Sequence, residues 1–419
     1  MKTLAAAAIA VTLAVPAFSS TRLTYQIRDT EVQVAWPQNS FPLRYEIDRR
    51  VASSSAEAAS IVDRAFAQWA AGADTNVTFT NGGIGDKLTA GKDGRNTISI
   101  ADDLFAGQRF IALTTNWYDD DGTMREGDIQ LDPSTLNGSY NLQQVVAHEI
   151  GHVLGLDHSA VISAVMYPYV GKGGTTSLDS DDRVAIASIY PKAELSTRGA
   201  TLKGRVTGDN GGIFAAQVVA VSSTGEPVAT GLTNAQGEFV IEGLPAGRYR
   251  LYAEPLDGPV DVRNLSGVWQ NAKLISFPTQ FAEGSVEVQN GMIYGNLSVA
   301  TNGSSRLNPR WIGATKAGSS DITLAASPIA LNAGQQISIA VGGDGFTSGM
   351  TTFEVLNPGF RRIGDFRYAS NYTMATFEIA PDAAPGSAVI LVRSGNESAT
   401  LTGALRIVGG GARGRVARR

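Results

Sequence analysis

His148-Glu149-Ile150-Gly151-His152-Val153-Leu154-Gly155-Leu156-Asp157-His158 contains all three histidines of a 419-residue chain. Three histidines scattered at random would fall into this spacing on the order of a few times in 10⁵, so chance is a poor account of the window. Residues 141–148 read as the start of a helix, which places His148 and His152 at i and i+4, one turn apart on one face. Two imidazole nitrogens then lie where a single cation can bind both. Gly155 supplies a residue free to take the left-handed turn that ends a helix, so the chain can reverse and return His158 as a third ligand. Three neutral imidazoles suit Zn²⁺ and leave a fourth position open for water or substrate, the arrangement of a catalytic zinc. Glu149 sits about 100° around the helix from His148, so it need not bind the ion. It is placed to act as a general base on the water, taking its proton and handing it to a leaving amine.

Around this window the chain reads as mixed α and β structure. Strands are expected at 23–36, 43–47, 77–80, 97–100, 109–115 and 128–131. A helix is expected over 53–71, because Ala59, Val62, Ala65, Phe66 and Trp69 recur at helical spacing, with Ser53 to Ser55 as cap candidates. A further helix spans about 180–189, entered through Asp179-Ser180 and stopped by Pro191. Strands, a helix, more strands and two helices make an α+β domain ending near Lys192. After it the helical signals vanish. Strands at 202–206, 217–221, 238–241 and 249–253 suggest one β-sandwich, and those at 336–341, 351–355, 374–379 and 388–392 a second, with Thr301 to Ser305 as a linker. The expected layout is an α+β domain over 18–195 and all-β sandwich domains over 198–300 and 308–408. A Gly/Arg-rich tail, read as disordered, occupies 409–419. The protease-like unit is expected to fold and work without the sandwiches.

Composition narrows the function. Lys and Arg number 34 against 39 Asp and Glu, a formal charge of -5, which argues against a nucleic-acid partner. The absence of cysteine excludes disulfides, thiolate metal sites and a cysteine nucleophile. Met1-Lys2-Thr3, the apolar run from Leu4 and Val15-Pro16-Ala17 have the parts of a secretory signal peptide over 1–17, which implies a secreted, extracellular protein. That run is too short to span a bilayer, and no later stretch is long enough.

The motif His-Glu-x-x-His-x-x-Gly-x-x-His resembles that of the metzincin zinc endopeptidases, and Ser159 after the third histidine resembles the matrixins, the matrix-metalloprotease-like branch. Ser163-Ala164-Val165-Met166-Tyr167-Pro168 looks like the family's Met-turn, which lays a methionine beneath the zinc. Leu178-Asp179-Ser180-Asp181-Asp182 resembles the start of the family's C-terminal helix, and Ala65-Phe66-Ala67-Gln68-Trp69 its first helix. The resemblance covers about 30–192. It implies a metzincin-like α+β fold, one catalytic zinc on His148, His152 and His158, Glu149 as catalytic base, and Gly155 and Met166 as structural neighbours. A protein or peptide substrate would lie antiparallel to an edge strand within 110–115. Three departures bear on what carries over. The cysteine of matrixin latency is missing, and the stretch between the expected signal peptide and Trp36 offers no room for a propeptide; no fourth histidine supports a second zinc; and Pro168-Tyr169-Val170 stands where many relatives have Pro-x-Tyr.

The acidic stretch Asp119-Asp120-Asp121-Gly122 with Glu126 and Asp128 has the oxygen-rich make-up of Ca²⁺ loops, and Asp119, Asp121 and Asp128 are candidate calcium ligands. Asp and Gly are equally ordinary turn residues. Thr233-Asn234-Ala235-Gln236-Gly237-Glu238-Phe239 and Gly243-Leu244-Pro245-Ala246-Gly247-Arg248-Tyr249 resemble the carboxypeptidase-regulatory-like β-sandwich, while Gly342-Gly343-Asp344-Gly345-Phe346 resembles an immunoglobulin-like IPT/TIG module. Neither carries a catalytic cluster; spacing and docking of a substrate or cell-surface component are both open to them. The expected function is a secreted zinc metalloendopeptidase. The rivals are an extracellular binding or adhesion protein with an inactive protease-like domain, which the intact Glu149 disfavours, and a zinc hydrolase acting on something other than protein.

Overall fold

The computed structural model describes residues 22–27, 30–71, 75–171, 176–192, 199–273, 275–317, 322–325 and 328–409. The expected signal peptide and all but the first residue of the expected tail lie outside them. Among the described residues, no helix is long and apolar enough to cross a membrane.

The N-terminal half is α+β. A hairpin, β1 (Thr24–Ile27) and β2 (Thr30–Gln33), leads into β3 (Leu43–Asp48) and the single turn α1 (Arg49–Ala52). The Asp48 carboxylate caps that turn by accepting from Arg50 N–H. The helix expected from residue 53 starts five residues later. It is α2 (Ala58–Ala70), where Val62, Ala65, Phe66 and Trp69 of the expected stripe are buried, joined by Ala58 in place of the half-buried Ala59. Then come β4 (Phe79–Gly85), β5 (Asn96–Ile100), β6 (Ala112–Tyr118), β7 (Met124–Leu131), α3 (Leu142–Val153) and α4 (Ser180–Ile189). The sheet order is β4-β3-β5-β7-β6, parallel throughout except for β6, which lies antiparallel to β7 at the edge. The helices α2 and α3 pack together, and the buried Trp69 Nε1–H donates to Ala147 O of α3 at 2.8 Å. The core joins Ile47, Ile98, Ile129 and Leu131 of the sheet to Trp69, Val146 and Ile150 of the helices. Each such side chain contributes roughly 1.5–3 kcal/mol by leaving water.

The rest is all β, in two pairs of facing sheets. The first pair sets Pro227–Leu232, Gln217–Ser222, Gly247–Glu254 and Gln280–Phe281 against Glu238–Leu244, Ala200–Gly208 and Ile293–Ala300. Leu202, Phe239 and Ile241 from one sheet meet Val218, Ala220 and Leu251 from the other. The second pair sets the sheet of Asn308–Lys316, Gln336–Asp344, Phe360–Tyr368 and Tyr372–Ile379 against that of Thr352–Val355, Gly386–Ser394 and Glu397–Val408. Its core contains Ile339, Val341 and Phe377 opposite Ile390, Val392 and Leu401.

These units share surfaces. Val184 of α4 belongs to the core of the first sandwich, and Val219, Val221 and Tyr252 of that sandwich pack on Val389 of the second. Residues 301–305 are pinned rather than free: Thr301 N–H donates to Thr207 O at 2.8 Å, and Ser305 Oγ–H to Glu397 Oε2 at 2.9 Å.

Candidate metal centre

The site is built from one helix and the loop that follows it. Asn141 caps α3 by accepting from Gln144 N–H, and Val145, Val146, Ala147, Ile150 and Val153 bury the helix in the core. That fixes its rotation, and with it the side of α3 on which His148 and His152 stand, next to β6. The helix ends in two reversing bonds, Leu156 N–H to Gly151 O at 2.9 Å and Gly155 N–H to His152 O at 3.0 Å, the Schellman pattern. Gly155 has φ +87°, and a Cβ there would come 2.4 Å from Val34 O, so both backbone angle and space require glycine. The chain then turns back, and ring nitrogens of His148, His152 and His158 lie within 4.8 Å of one another. No other such group of three occurs among the described residues.

Each Nδ1 is tied to a carbonyl oxygen: His148 to Val165 O and His152 to Leu156 O at 2.8 Å each, and His158 to Asn264 O at 2.5 Å. A carbonyl only accepts, so Nδ1 is the nitrogen that donates in all three rings, and Nε2 is the one left to face a cation. Burial, and then the neighbouring His158, push His148 down to about 3; burial and the other two histidines hold His152 well below its ordinary value. Three imidazoles whose nitrogens converge on one place are a donor set that fits zinc.

Glu149 is buried, and burial pushes its carboxyl up to about 7, against the pull of the Thr114 hydroxyl. Thr114 of β6 donates to Glu149 Oε2 at 2.6 Å, and Asn116, two residues on, donates to His152 O at 2.9 Å. The same edge strand thus lines the cleft and braces the helix, three residues further along than the expected range. Neither Thr114 nor Asn116 was marked by the sequence, where they are ordinary strand residues.

Met166 packs against α3 at Gly151, between His148 and His152 in sequence: a Cβ on Gly151 would fall 2.1 Å from its Sδ. The turn that carries it is held by acidic residues of α4. Asp182 accepts from Val165 N–H at 2.8 Å and Met166 N–H at 3.1 Å, while Asp181 accepts from Ser159 Oγ–H at 2.7 Å and from Thr230 Oγ1–H of the first sandwich at 2.9 Å. Asp182 also closes a capping box with Asp179. The Asp pair therefore does more than stabilise a helix end.

The candidate calcium ligands are not brought together. Asp119 pairs with Arg125, Asp121 accepts from Thr123 N–H, and the buried Asp128 accepts from Thr97 N–H and Oγ1–H and from Gly91 N–H. Asp128 thereby fastens the loop before β5 to β7.

Residues 18–191 match the matrixin family and residues 201–258 the carboxypeptidase regulatory-like domain. Among curated proteins, Metalloendoproteinase 2-MMP of Arabidopsis thaliana is 29% identical over 168 residues, covering 37% of this chain and 42% of that protein. Karilysin of Tannerella forsythia is 51% identical over 57 residues, 13% of this chain and 12% of its own. Interstitial collagenase of Sus scrofa is 49% identical over 55 residues, again 13% and 12%. The chain thus spans less than half the length of each of these relatives. From the motif, the sheet with its antiparallel edge and these matches, the chain carries a matrixin domain, followed by a carboxypeptidase-regulatory-like domain and a further all-β sandwich.

Proposed function

We propose that this protein is a secreted zinc metalloendopeptidase that hydrolyses peptide bonds in protein substrates. The observation that carries the reading is the convergence of three histidines beside a buried carboxylate, under an open edge strand. A zinc ion held by His148, His152 and His158 would supply Lewis acidity, lowering the pKa of water toward about 7 and polarising a peptide carbonyl. The residues of the chain do the rest. The edge of β6 presents unpaired backbone groups, on which an extended peptide can lie antiparallel as an added strand. Thr114 holds Glu149 Oε2 and fixes the carboxylate next to the ligands. Glu149 Oε1 then takes a proton from the attacking water and returns it to the leaving amine. The raised affinity of Glu149 for a proton suits both halves of that exchange. Export through the segment at 1–17 is part of the same reading.

The test is metal removal and return on the purified protein, with casein and a peptide library as substrates. Chelation abolishes cleavage, and zinc added at one equivalent restores it. A zinc-loaded protein that cleaves neither substrate favours the binding-protein reading instead.

A further inference from the structure

The three ligands are not supported alike. Two have their Nδ1 partners close by, Leu156 four residues from His152 and Val165 seventeen from His148. The partner of His158 is Asn264 O, 106 residues away in the first β-sandwich. A second tie runs beside it. Asp157, buried next to the ligand, accepts from His158 N–H through Oδ1 at 2.7 Å, and its Oδ2 accepts from both Ser266 N–H and Ser266 Oγ–H at 2.6 Å. The loop carrying the third ligand is therefore gripped at two consecutive residues by one segment, 264–266.

That segment is built to hold its shape. Asp261 caps a one-turn helix, Val262–Asn264, and Asn264 Oδ1 accepts in return from Asp261 N–H at 3.0 Å. Val262, Leu265 and Trp269 enter a small core with Ala215 and Leu232 of the sandwich, against which Ala160, two residues after His158, also packs. Trp269 Nε1–H donates to Thr233 O at 3.2 Å, anchoring the segment to the sheet behind it. Gly267, at φ +62°, lets the chain pass so close to β1 that a Cβ would meet Thr24 Oγ1 at 2.0 Å. These are the features of a fixed wall.

We propose that Asn264 and Ser266, in the segment after strand Gly247–Glu254 of the first β-sandwich, are positioning residues of the metal centre. The Asn264 carbonyl selects the His158 tautomer that presents Nε2, and Ser266 fixes the Asp157 carboxylate that orients the His158 backbone. The matrixin domain then does not complete its third ligand alone, which differs from the self-sufficient unit expected from the sequence. This inference rests on the three histidines binding zinc.

The experiment measures zinc affinity of the full chain by competition with a chromophoric chelator, with metal-free thermal unfolding recorded on the same samples. Loss of an outer partner of a metal-bound histidine typically costs about 10–100-fold in affinity, so Ser266→Ala should weaken zinc binding about 10-fold. Asn264→Ala, which frees the turn that aims the carbonyl, should weaken it by about as much or more. Ser266→Thr, which keeps the hydroxyl on extended backbone, should restore wild-type affinity. All three variants should unfold near the wild-type temperature when metal-free. Wild-type affinity in both alanine variants overturns the inference, as does a loss that Ser266→Thr shares. A wild-type protein that binds no zinc overturns the underlying metal-centre reading instead.

Discussion

Helix α3 and the loop over 157–166 build the proposed metal centre by different routes. The helix brings His148 and His152 to one face through its own periodicity, and it is rotated by its apolar stripe against Trp69 and the sheet. Its ligands are ready as soon as its own domain folds. The loop brings His158 and Met166, but its hold comes from elsewhere: Asp181 and Asp182 of α4, Asn264 and Ser266 of the first sandwich, and Thr402 of the second, whose carbonyl accepts from Ile162 N–H at 2.8 Å. A helix can encode a ligand pair locally. A loop has no ladder of its own, and its geometry is set by what packs around it.

The largest effect should come from the ligands themselves. His148→Ala and His158→Ala each remove one of three protein ligands, so both should lose more zinc affinity than the about 10–100-fold that follows loss of an outer partner. If the comparison holds, metal-free His148→Ala exposes a gap in the packed helix and loses stability, while metal-free His158→Ala stays near wild type. Chelator competition and urea unfolding on the same samples separate the two.

The junction between the regions comes next. Gly155→Ala meets both a positive φ and Val34 O, and should cost at least about 2 kcal/mol in urea unfolding. Gly138→Ala is the control: its φ is +83° with nothing within 4 Å of a Cβ, so it should cost about 1 kcal/mol from backbone strain alone. Equal costs would remove the close approach to Val34 from the account.

The smallest effect concerns the clamp on the loop. Burial pushes the Asp181 carboxyl up to about 6. Its folded value lies above its unfolded one, so the folded state binds the extra proton, and this group's contribution to stability declines as pH rises from about 4 through 6. Asp181→Asn keeps the shape and can still bond the Ser159 and Thr230 hydroxyls without ionising. It should match the wild type near pH 4 and exceed it above pH 6, by roughly 1–3 kcal/mol. A variant less stable at pH 7.5 would mean that the charged carboxylate is what holds the loop.

The same contrast explains what was legible in the sequence. The ligand window, the stop at Gly155 and α4 could be read because their signals are local spacings, whereas the Met-turn was legible only through the family resemblance. Eight expected strands of the sandwiches, such as 217–221 and 388–392, fall on observed ones because their apolar residues alternate or run together. The strand Phe360–Tyr368 escaped because Arg361, Arg362, Gly364, Asp365 and Arg367 break any alternation on an edge. The strand β4 was placed too early because Asn81, Gly82 and Gly83 read as a turn. Asn264 could not be read at all: what it gives the site is a backbone carbonyl, which every residue has, delivered by tertiary packing across 106 positions.

If three histidines hold zinc while Glu149 moves the proton, bound zinc and peptide hydrolysis should part company when both are measured on the same preparations of wild type and Glu149→Gln. The glutamine keeps the shape and can still be held by Thr114, but it cannot accept the water's proton. The account predicts full zinc content with hydrolysis lowered about 10²–10⁴-fold. A Glu149→Gln protein that loses its zinc, or that retains most of its activity, would contradict it.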